Sequence, residues 1–155
     1  VVERREGFLA ANSVARGSER WVDVVAHRTI AGAAERLELG QFELVATHPG
    51  GDLLPEALRE LPRVALVLGN ERFGIADELA GRCRHSVRIP MRGFAESLNV
   101  SVTAAILLEH ATRGRPGDLP EDEQDRLYLR ALWLTLPHAS EILEARGIDP
   151  FAIAS

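Results

Sequence analysis

Apolar positions along the chain follow two spacings that alternate from one segment to the next. The run Val64–Leu68 is apolar without interruption, which is typical of a strand buried on both faces of a parallel sheet. Ser97–Arg113 and the amphipathic Thr29–Leu39 have helical spacing instead. Shorter segments predict further strands at Trp21–Ala26, Phe42–Ala46 and Ser86–Ile89, and short helices at Pro55–Glu60 and Ile75–Arg82. This alternation predicts an α/β domain with a mostly parallel sheet and flanking helices.

A segment rich in Gly and Pro, Arg113–Pro120, follows the longest helical pattern and predicts a linker. Beyond it, Glu121–Arg146 again has helical spacing, interrupted at Pro137, and Gly147 is expected to end the second helix. We therefore expect a main domain over residues 1–114 and a C-terminal helical extension over residues 115–155.

With 155 residues, of which 46% are hydrophobic and 26% charged, the chain suits one globular domain with a short appendage. The longest apolar stretches are far shorter than a membrane span, and no N-terminal segment has the pattern of a signal peptide. The expectation is a cytoplasmic protein without a membrane partner. A lone cysteine, Cys83, excludes an internal disulfide and a cysteine-based metal cluster, and we expect no metal.

The net charge of −5 argues mildly against a nucleic-acid partner, because phosphate binding is largely electrostatic. The distribution of charge matters more than its sum. Five arginines crowd one stretch, namely Arg72, Arg82, Arg84, Arg88 and Arg92. Either this stretch is a solvated surface of mixed charge, or it forms a local basic face on an acidic protein.

Three groups of residues follow predicted strands, which is where ligands bind in open α/β sheets. The glycines of Gly69–Gly74 permit close approach of a ligand, although a structural turn is the plainer interpretation. Thr47 and His48 follow an earlier strand, and a surface histidine is the plainer interpretation there. Ser97 is expected to cap the long helix. Asn99, in the apolar first turn, is expected to be buried and to need polar partners such as a ligand.

In order along the chain, the runs GNERFG, IPM and SLNVSVTAAILLEHA resemble motifs two and three of the SpoU/TrmH branch of the SPOUT RNA methyltransferases. The preceding runs ARGSERWVDVVAHRTI and FELVATHPGG are similar to the middle segment of the same family. The resemblance thus extends from about Asn12 to Arg113. The tail LPEDEQDRLYLR is similar to the C-terminal extension of the tRNA guanosine-2′-O-methyltransferase subgroup.

The resemblance implies a SPOUT-type fold with a C-terminal trefoil knot, a homodimer, and S-adenosyl-L-methionine held by the knot loops. The implied activity is 2′-O-methylation of an RNA ribose, at a tRNA guanosine by the subgroup resemblance. The family's cofactor-contacting positions correspond to Thr47, Gly69, Ile89 and Leu98, with Gly69 letting the backbone approach closely. Its catalytic positions correspond to Glu71, Ser97 and Asn99.

The family's first motif, an Asn followed by an Arg thought to activate the ribose hydroxyl, has no match in this chain. Asn12 and Arg16 fall in the stretch that normally follows that motif. The chain is therefore expected to be either an N-terminally incomplete piece or a family member without the usual activator. Three functions stay open: a tRNA ribose methyltransferase, an rRNA-modifying relative, and a non-catalytic RNA- or cofactor-binding module.

Overall fold

The computed structural model describes residues 1–2, 22, 24–70, 73–94 and 97–149. Helices and strands alternate through most of it: α1 (Ile30–Leu39), β1 (Glu43–Thr47), a 3-10 helix (Pro55–Glu60), β2 (Val64–Val67), α2 (Asp77–Ala80), β3 (His85–Val87) and α3 (Val100–Thr112). Two more helices follow, α4 (Glu121–Thr135) and α5 (Ala139–Ala145). The predicted order of elements is confirmed from Thr29 onward, with bounds that differ by a few residues.

The strands of the described residues form a parallel sheet in the order β2–β1–β3. In its register, Val45 of β1 lies opposite Leu66 of β2 and His85 of β3. Because the strands are parallel, their carboxyl ends meet at one edge of the sheet. The last residues of the strands at that edge are Thr47, Val67 and Val87.

Side chains on the two faces of β1 belong to two separate apolar clusters, as the alternation along a strand requires. Leu44 packs with Ala34 of α1 and with Val67 on one face. On the other face, Val45 packs with buried residues of the 3-10 helix, β3 and α3, which are Leu58, Val87, Leu107 and Ala111. Burial on both faces is what the predicted parallel sheet requires of a central strand.

The predicted strand Trp21–Ala26 is wrong at the positions that the structure describes. Val24 and Val25 are exposed, and the described residues 24–26 pair with no strand. An isolated parallel bridge joins His27 to Val2 instead. A β-branched run favours extended backbone, but a strand forms only where a neighbour accepts its backbone hydrogen bonds.

The described residues 116–149 fall in a second compact unit, separate from the unit that contains the sheet. Its helices α4 and α5 are joined by a turn in which His138 has a positive φ of 59°. The indole N–H of Trp133 donates to the hydroxyl of Ser140 at 3.1 Å and ties the two helices together. The predicted interruption at Pro137 is confirmed, since proline does not continue a helix. Within the described ranges, no helix is both long and apolar enough to cross a membrane.

Candidate functional site

A cleft of about 930 Å³ opens at the carboxyl edge of the sheet. Its walls are the loops that follow β1, β2 and β3, together with the start of α3. Polar and apolar side chains both line it, and its volume is in the range of small-molecule sites, roughly 300–1,000 Å³. The cleft therefore lies where ligands bind in open α/β sheets, beyond the carboxyl ends of the strands.

Most of the site residues predicted from the sequence meet at this cleft. Those that line it are Thr47, Gly69, Ile89, Ser97 and Leu98. Asn99 directly follows Leu98 in the chain but is not part of the lining. Glu71 lies outside the described residues.

Thr47 ends β1 and fixes the start of the first loop. Its hydroxyl donates to the carbonyl oxygen of Val67 at 3.1 Å, which ties the end of β1 to the end of β2. His48 accepts a hydrogen bond at Nδ1 from the backbone N–H of Gly50 at 3.0 Å. An Nδ1 that accepts leaves the proton of a neutral ring on Nε2. His48 is exposed, as expected for a loop histidine, and its ring shapes the turn beside the cleft.

The loop from His48 to Leu53 crosses the carboxyl end of β3. Leu53 forms a parallel bridge with Val87, so β3 lies between β1 on one side and Leu53 on the other. Gly51 packs so closely against β3 that a Cβ there would lie 2.6 Å from the carbonyl carbon of Val87. Arg88 donates from Nη1 to the carbonyl oxygen of Gly51 at 2.8 Å. Contact with the backbone of β3 therefore requires glycine at position 51.

Asp52 fastens the same loop to β3 through its side chain. Its Oδ1 accepts from the hydroxyl of Ser86 at 2.6 Å and from the backbone N–H of Ser86 at 2.7 Å. These two bonds favour the carboxylate and lower the pKa of Asp52 to about 2. The imidazole of His85 lies between two acids, with Nδ1 3.6 Å from Asp52 Oδ2 and Nε2 3.8 Å from Glu43 Oε2.

Sequence reasoning missed Asp52, His85 and Ser86, all of which line the cleft. Asp52 and Ser86 are 34 positions apart, so no local pattern could pair them. The signal that was available is an acidic residue directly after two glycines in a strand-end loop.

Gly69 opens a tight turn after β2. A Cβ on Gly69 would lie 2.6 Å from the nitrogen of Ile75, and closer still to the carbonyl carbon of Gly74. Asn70 and Gly74 exchange backbone hydrogen bonds of 3.1 and 2.8 Å, and Asn70 Oδ1 accepts from the N–H of Phe73 at 3.1 Å. The turn itself therefore requires glycine at position 69, whatever the cleft binds.

The start of α3 differs from the prediction. Asn99, and not Ser97, is the N-cap, because Asn99 Oδ1 accepts from the backbone N–H of Ser101 at 2.8 Å. Both Ser97 and Asn99 are exposed, so the expected burial of the amide is wrong. An asparagine oxygen caps a helix as well as a serine hydroxyl does. Capping uses the oxygen of Asn99, and its amide N–H groups have no partner within the described part of the chain.

The arginines that crowd one stretch of sequence have two different environments. Arg82 pairs with Glu38 at 3.1 Å, and Arg88 is held by the loop after β1. Among the described residues, the guanidinium groups of Arg84 and Arg92 have no hydrogen-bonded or ion-paired partner. Arg84 lines the cleft, and Arg92 directly follows a cleft residue. The fifth arginine of the stretch, Arg72, lies outside the described residues.

Fold and cleft together define an α/β protein with a cleft of the size of a small-molecule site at the carboxyl edge of a parallel sheet. The model of the SpoU rRNA Methylase family matches residues 4–109. The chain therefore belongs to the SpoU rRNA methylase family.

Two curated relatives have the same name. The tRNA (guanosine(18)-2′-O)-methyltransferase of Escherichia coli (strain K12) is 35% identical over 146 residues, which are 88% of this chain and 62% of that protein. Its namesake from Thermus thermophilus is 33% identical over 115 residues, which are 70% of this chain and 57% of that protein. The chain thus spans less than two thirds of the length of either relative.

Solved structures are similar to the fold as well. The crystal structure of the A. aeolicus TrmH/SpoU tRNA modifying enzyme has a TM-score of 0.68 at 28% identity. The match covers 85% of this chain and 72% of that enzyme's chain. The SpoU methyltransferase AviRb from Streptomyces viridochromogenes, in complex with the cofactor AdoMet, has a TM-score of 0.63 at 26% identity. The match covers 73% of this chain and 48% of the AviRb chain. These similarities confirm the predicted α/β fold with a parallel sheet and flanking helices.

Proposed function

We propose that this chain is the catalytic part of an S-adenosylmethionine-dependent enzyme that methylates a ribose 2′-oxygen in RNA, at a guanosine of tRNA. The observation that carries the proposal is the cleft in which Thr47, Gly69, Ile89 and Leu98 converge, in a chain of the SpoU family. The names of the E. coli and Thermus relatives support the reaction and the substrate. We propose that the enzyme acts in the cytoplasm.

The lining of the cleft fits S-adenosylmethionine. Ile89 and Leu98 are half-buried and offer apolar surface to a flat adenine ring, while Thr47 and Gly69 line the same cleft at the ends of β1 and β2. These four residues would hold the cofactor. AviRb, whose fold is similar, is in complex with AdoMet. When bound, the cofactor supplies an electrophilic methyl group.

Glu71, Ser97 and Asn99 are our proposed catalytic residues. A ribose hydroxyl is a poor nucleophile at neutral pH, and a group that acts on its proton contributes about 10²–10⁴-fold to the rate. Ser97 is exposed and lines the cleft, so its hydroxyl would be available to a bound ribose. Asn99 is held at the start of α3 by its bond to Ser101, and its amide N–H groups would orient the hydroxyl or the group that activates it.

Side chains between residues 84 and 94 offer groups that suit RNA. Arg84, which lines the cleft, and Arg92, which follows the cleft residue Met91, are cations without partners among the described residues, and phosphate binding needs such cations. Phe94, two residues after Arg92, has a relative exposure of 106%. An exposed aromatic ring can stack on an unpaired base. A local group of arginines is how a chain with a net charge of −5 would hold RNA.

We further propose a knotted SPOUT domain that forms a homodimer. The loop His48–Leu53 supports the knot, because it passes over the carboxyl end of β3 while β3 lies between β1 and Leu53. Helix α3 supports the dimer, because Val102 and Leu108 are 47% and 53% exposed and a partner would cover them. The proposed domain bounds are residues 1–114 for the SPOUT domain and 115–155 for the C-terminal extension.

A second candidate is 2′-O-methylation of rRNA, which the description of the family as rRNA methylases favours. Both candidates share the cofactor and the ribose chemistry, so comparing tRNA with rRNA as methyl acceptor separates them. A non-catalytic RNA- or cofactor-binding module differs from both because it would bind without transferring a methyl group.

Calorimetric titration of this chain with S-adenosylhomocysteine tests the cofactor proposal. We expect a dissociation constant well below about 1 mM, the level that corresponds to about 4 kcal/mol of binding free energy. Leu98→Asp should weaken binding at least tenfold, because it places a charge on the apolar wall. Absence of heat at millimolar ligand, from protein shown by circular dichroism to be folded, contradicts the proposal.

A further inference from the structure

One pair of side chains holds the loop after β1 to β3. Asp52 Oδ1 accepts from the Ser86 hydroxyl at 2.6 Å and from the Ser86 backbone N–H at 2.7 Å. The backbone N–H of Asp52 donates in return to Ser86 Oγ at 3.3 Å. We call this pair the Asp52–Ser86 clamp.

The clamped loop forms one wall of the cleft. Thr47, His48 and Pro49 line the cleft just before the clamp, and Asp52 and Ser86 line it too. Apolar packing contributes little to holding this wall, since residues 48–50 are exposed. Its position therefore depends on its hydrogen bonds to β3 and on the close contact of the glycine at position 51.

We infer that Asp52 and Ser86 are positioning residues for the cofactor. They hold the loop His48–Leu53 in the conformation that receives S-adenosylmethionine, and they take no part in the transfer of the methyl group. The inference rests on the proposed function. When the clamp is lost, the loop occupies other conformations, and the apparent dissociation constant rises as the binding-competent fraction falls.

The atoms of the clamp set the order in which variants should lose affinity. Asp52→Ala removes the acceptor of two hydrogen bonds, and we expect the dissociation constant of S-adenosylhomocysteine to rise about tenfold. Asp52→Asn keeps an acceptor oxygen without the charge, so its loss should be smaller, about threefold. Ser86→Ala removes the hydroxyl but leaves its backbone N–H. The double variant should bind no more weakly than Asp52→Ala alone, because both substitutions break one clamp.

The test is calorimetry with S-adenosylhomocysteine on the full chain and on these variants. Asp118→Ala is the matched control, since Asp118 is an exposed carboxylate outside the cleft. Urea unfolding of each variant shows that it is folded before it is titrated. Partial rescue by Asn at position 52 separates positioning by hydrogen bonds from a general loss of stability.

If the wild-type chain and folded Asp52→Ala bind S-adenosylhomocysteine with equal affinity, the inference that the clamp positions the loop is wrong. The proposed function is not affected by that result. A wild-type chain that does not bind overturns the proposed function instead. Hydrogen exchange then decides whether the clamp holds the loop. We expect the amide protons of residues 48 and 50–53 to exchange faster in Asp52→Ala than in Asp118→Ala, and unchanged exchange contradicts the inference that the clamp holds the loop.

Discussion

The substitution Gly69→Ala puts a methyl group where the turn after β2 has no room. The new Cβ would lie 2.6 Å from the nitrogen of Ile75 and closer still to the carbonyl carbon of Gly74, and both atoms belong to rigid backbone rather than to a side chain that can rotate away. The turn must therefore open, which breaks the two backbone bonds between Asn70 and Gly74 and the bond from Phe73 to Asn70. At about 1 kcal/mol for each lost hydrogen bond, the free energy of unfolding should fall by about 3 kcal/mol.

The matched control is Gly117→Ala, because a Cβ at Gly117 meets nothing within 4 Å. Its effect on the free energy of unfolding should stay within about 1 kcal/mol. Urea unfolding followed by circular dichroism measures both variants. S-adenosylhomocysteine should also bind Gly69→Ala more weakly, since the opened turn borders the cleft. Equal stability of the two variants would refute the argument that the backbone of this turn requires glycine.

Three further predictions follow from single side chains. Arg115 donates to the carbonyl oxygens of Leu58, Arg59, Leu61 and Pro62 at the end of the 3-10 helix. Arg115→Ala should lower the free energy of unfolding, measured with urea, by about 1–2 kcal/mol. Arg115→Lys should recover less than half of that loss, because lysine lacks the planar guanidinium group. Because the pKa of Asp52 is about 2 in the folded chain against a usual 3.8, its contribution to stability is present above pH 3.8 and lost as the pH falls towards 2. The difference in urea midpoint between the wild type and Asp52→Asn should shrink over that interval, and a difference independent of pH would contradict the assignment. Finally, Arg84→Ala and Arg92→Ala should each reduce the slope of log affinity for RNA against log salt by about 0.7–0.9, while Arg36→Ala leaves the slope unchanged.

Local patterns in the sequence were sufficient for the order of elements from Thr29 onward and for where the cleft lies. The apolar run at Val64–Leu68 and the helical spacing of Ser97–Arg113 correspond to β2 and α3. Parallel strands then bring Thr47, Gly69 and Ile89 to one edge, because their carboxyl ends coincide. The family resemblance identified the same loops.

Contacts between distant segments could not be predicted from local sequence patterns. The Asp52–Ser86 clamp joins residues 34 positions apart, and the need for glycine at position 69 comes from the backbone of Gly74, which no spacing rule includes. At α3, two capping residues stand two positions apart, and the backbone decides that Asn99 caps the helix. The strand expected at Trp21–Ala26 is absent at the described residues 22 and 24–26, because strand formation depends on a neighbour that the segment itself does not specify.

Methyl transfer to RNA tests the central claim most directly. Tritiated S-adenosylmethionine is incubated with an unmodified tRNA transcript and with a transcript that has a 2′-deoxy nucleotide at the position found to be methylated. The assay uses this chain and the protein as its gene encodes it, and a gene-encoded segment with the activating arginine of the family's first motif should raise the rate by about 10²-fold. We expect incorporation into the ribose transcript and none into the 2′-deoxy transcript. Incorporation that persists on the 2′-deoxy transcript, or a gene-encoded protein that methylates neither tRNA nor rRNA, would contradict the proposed function.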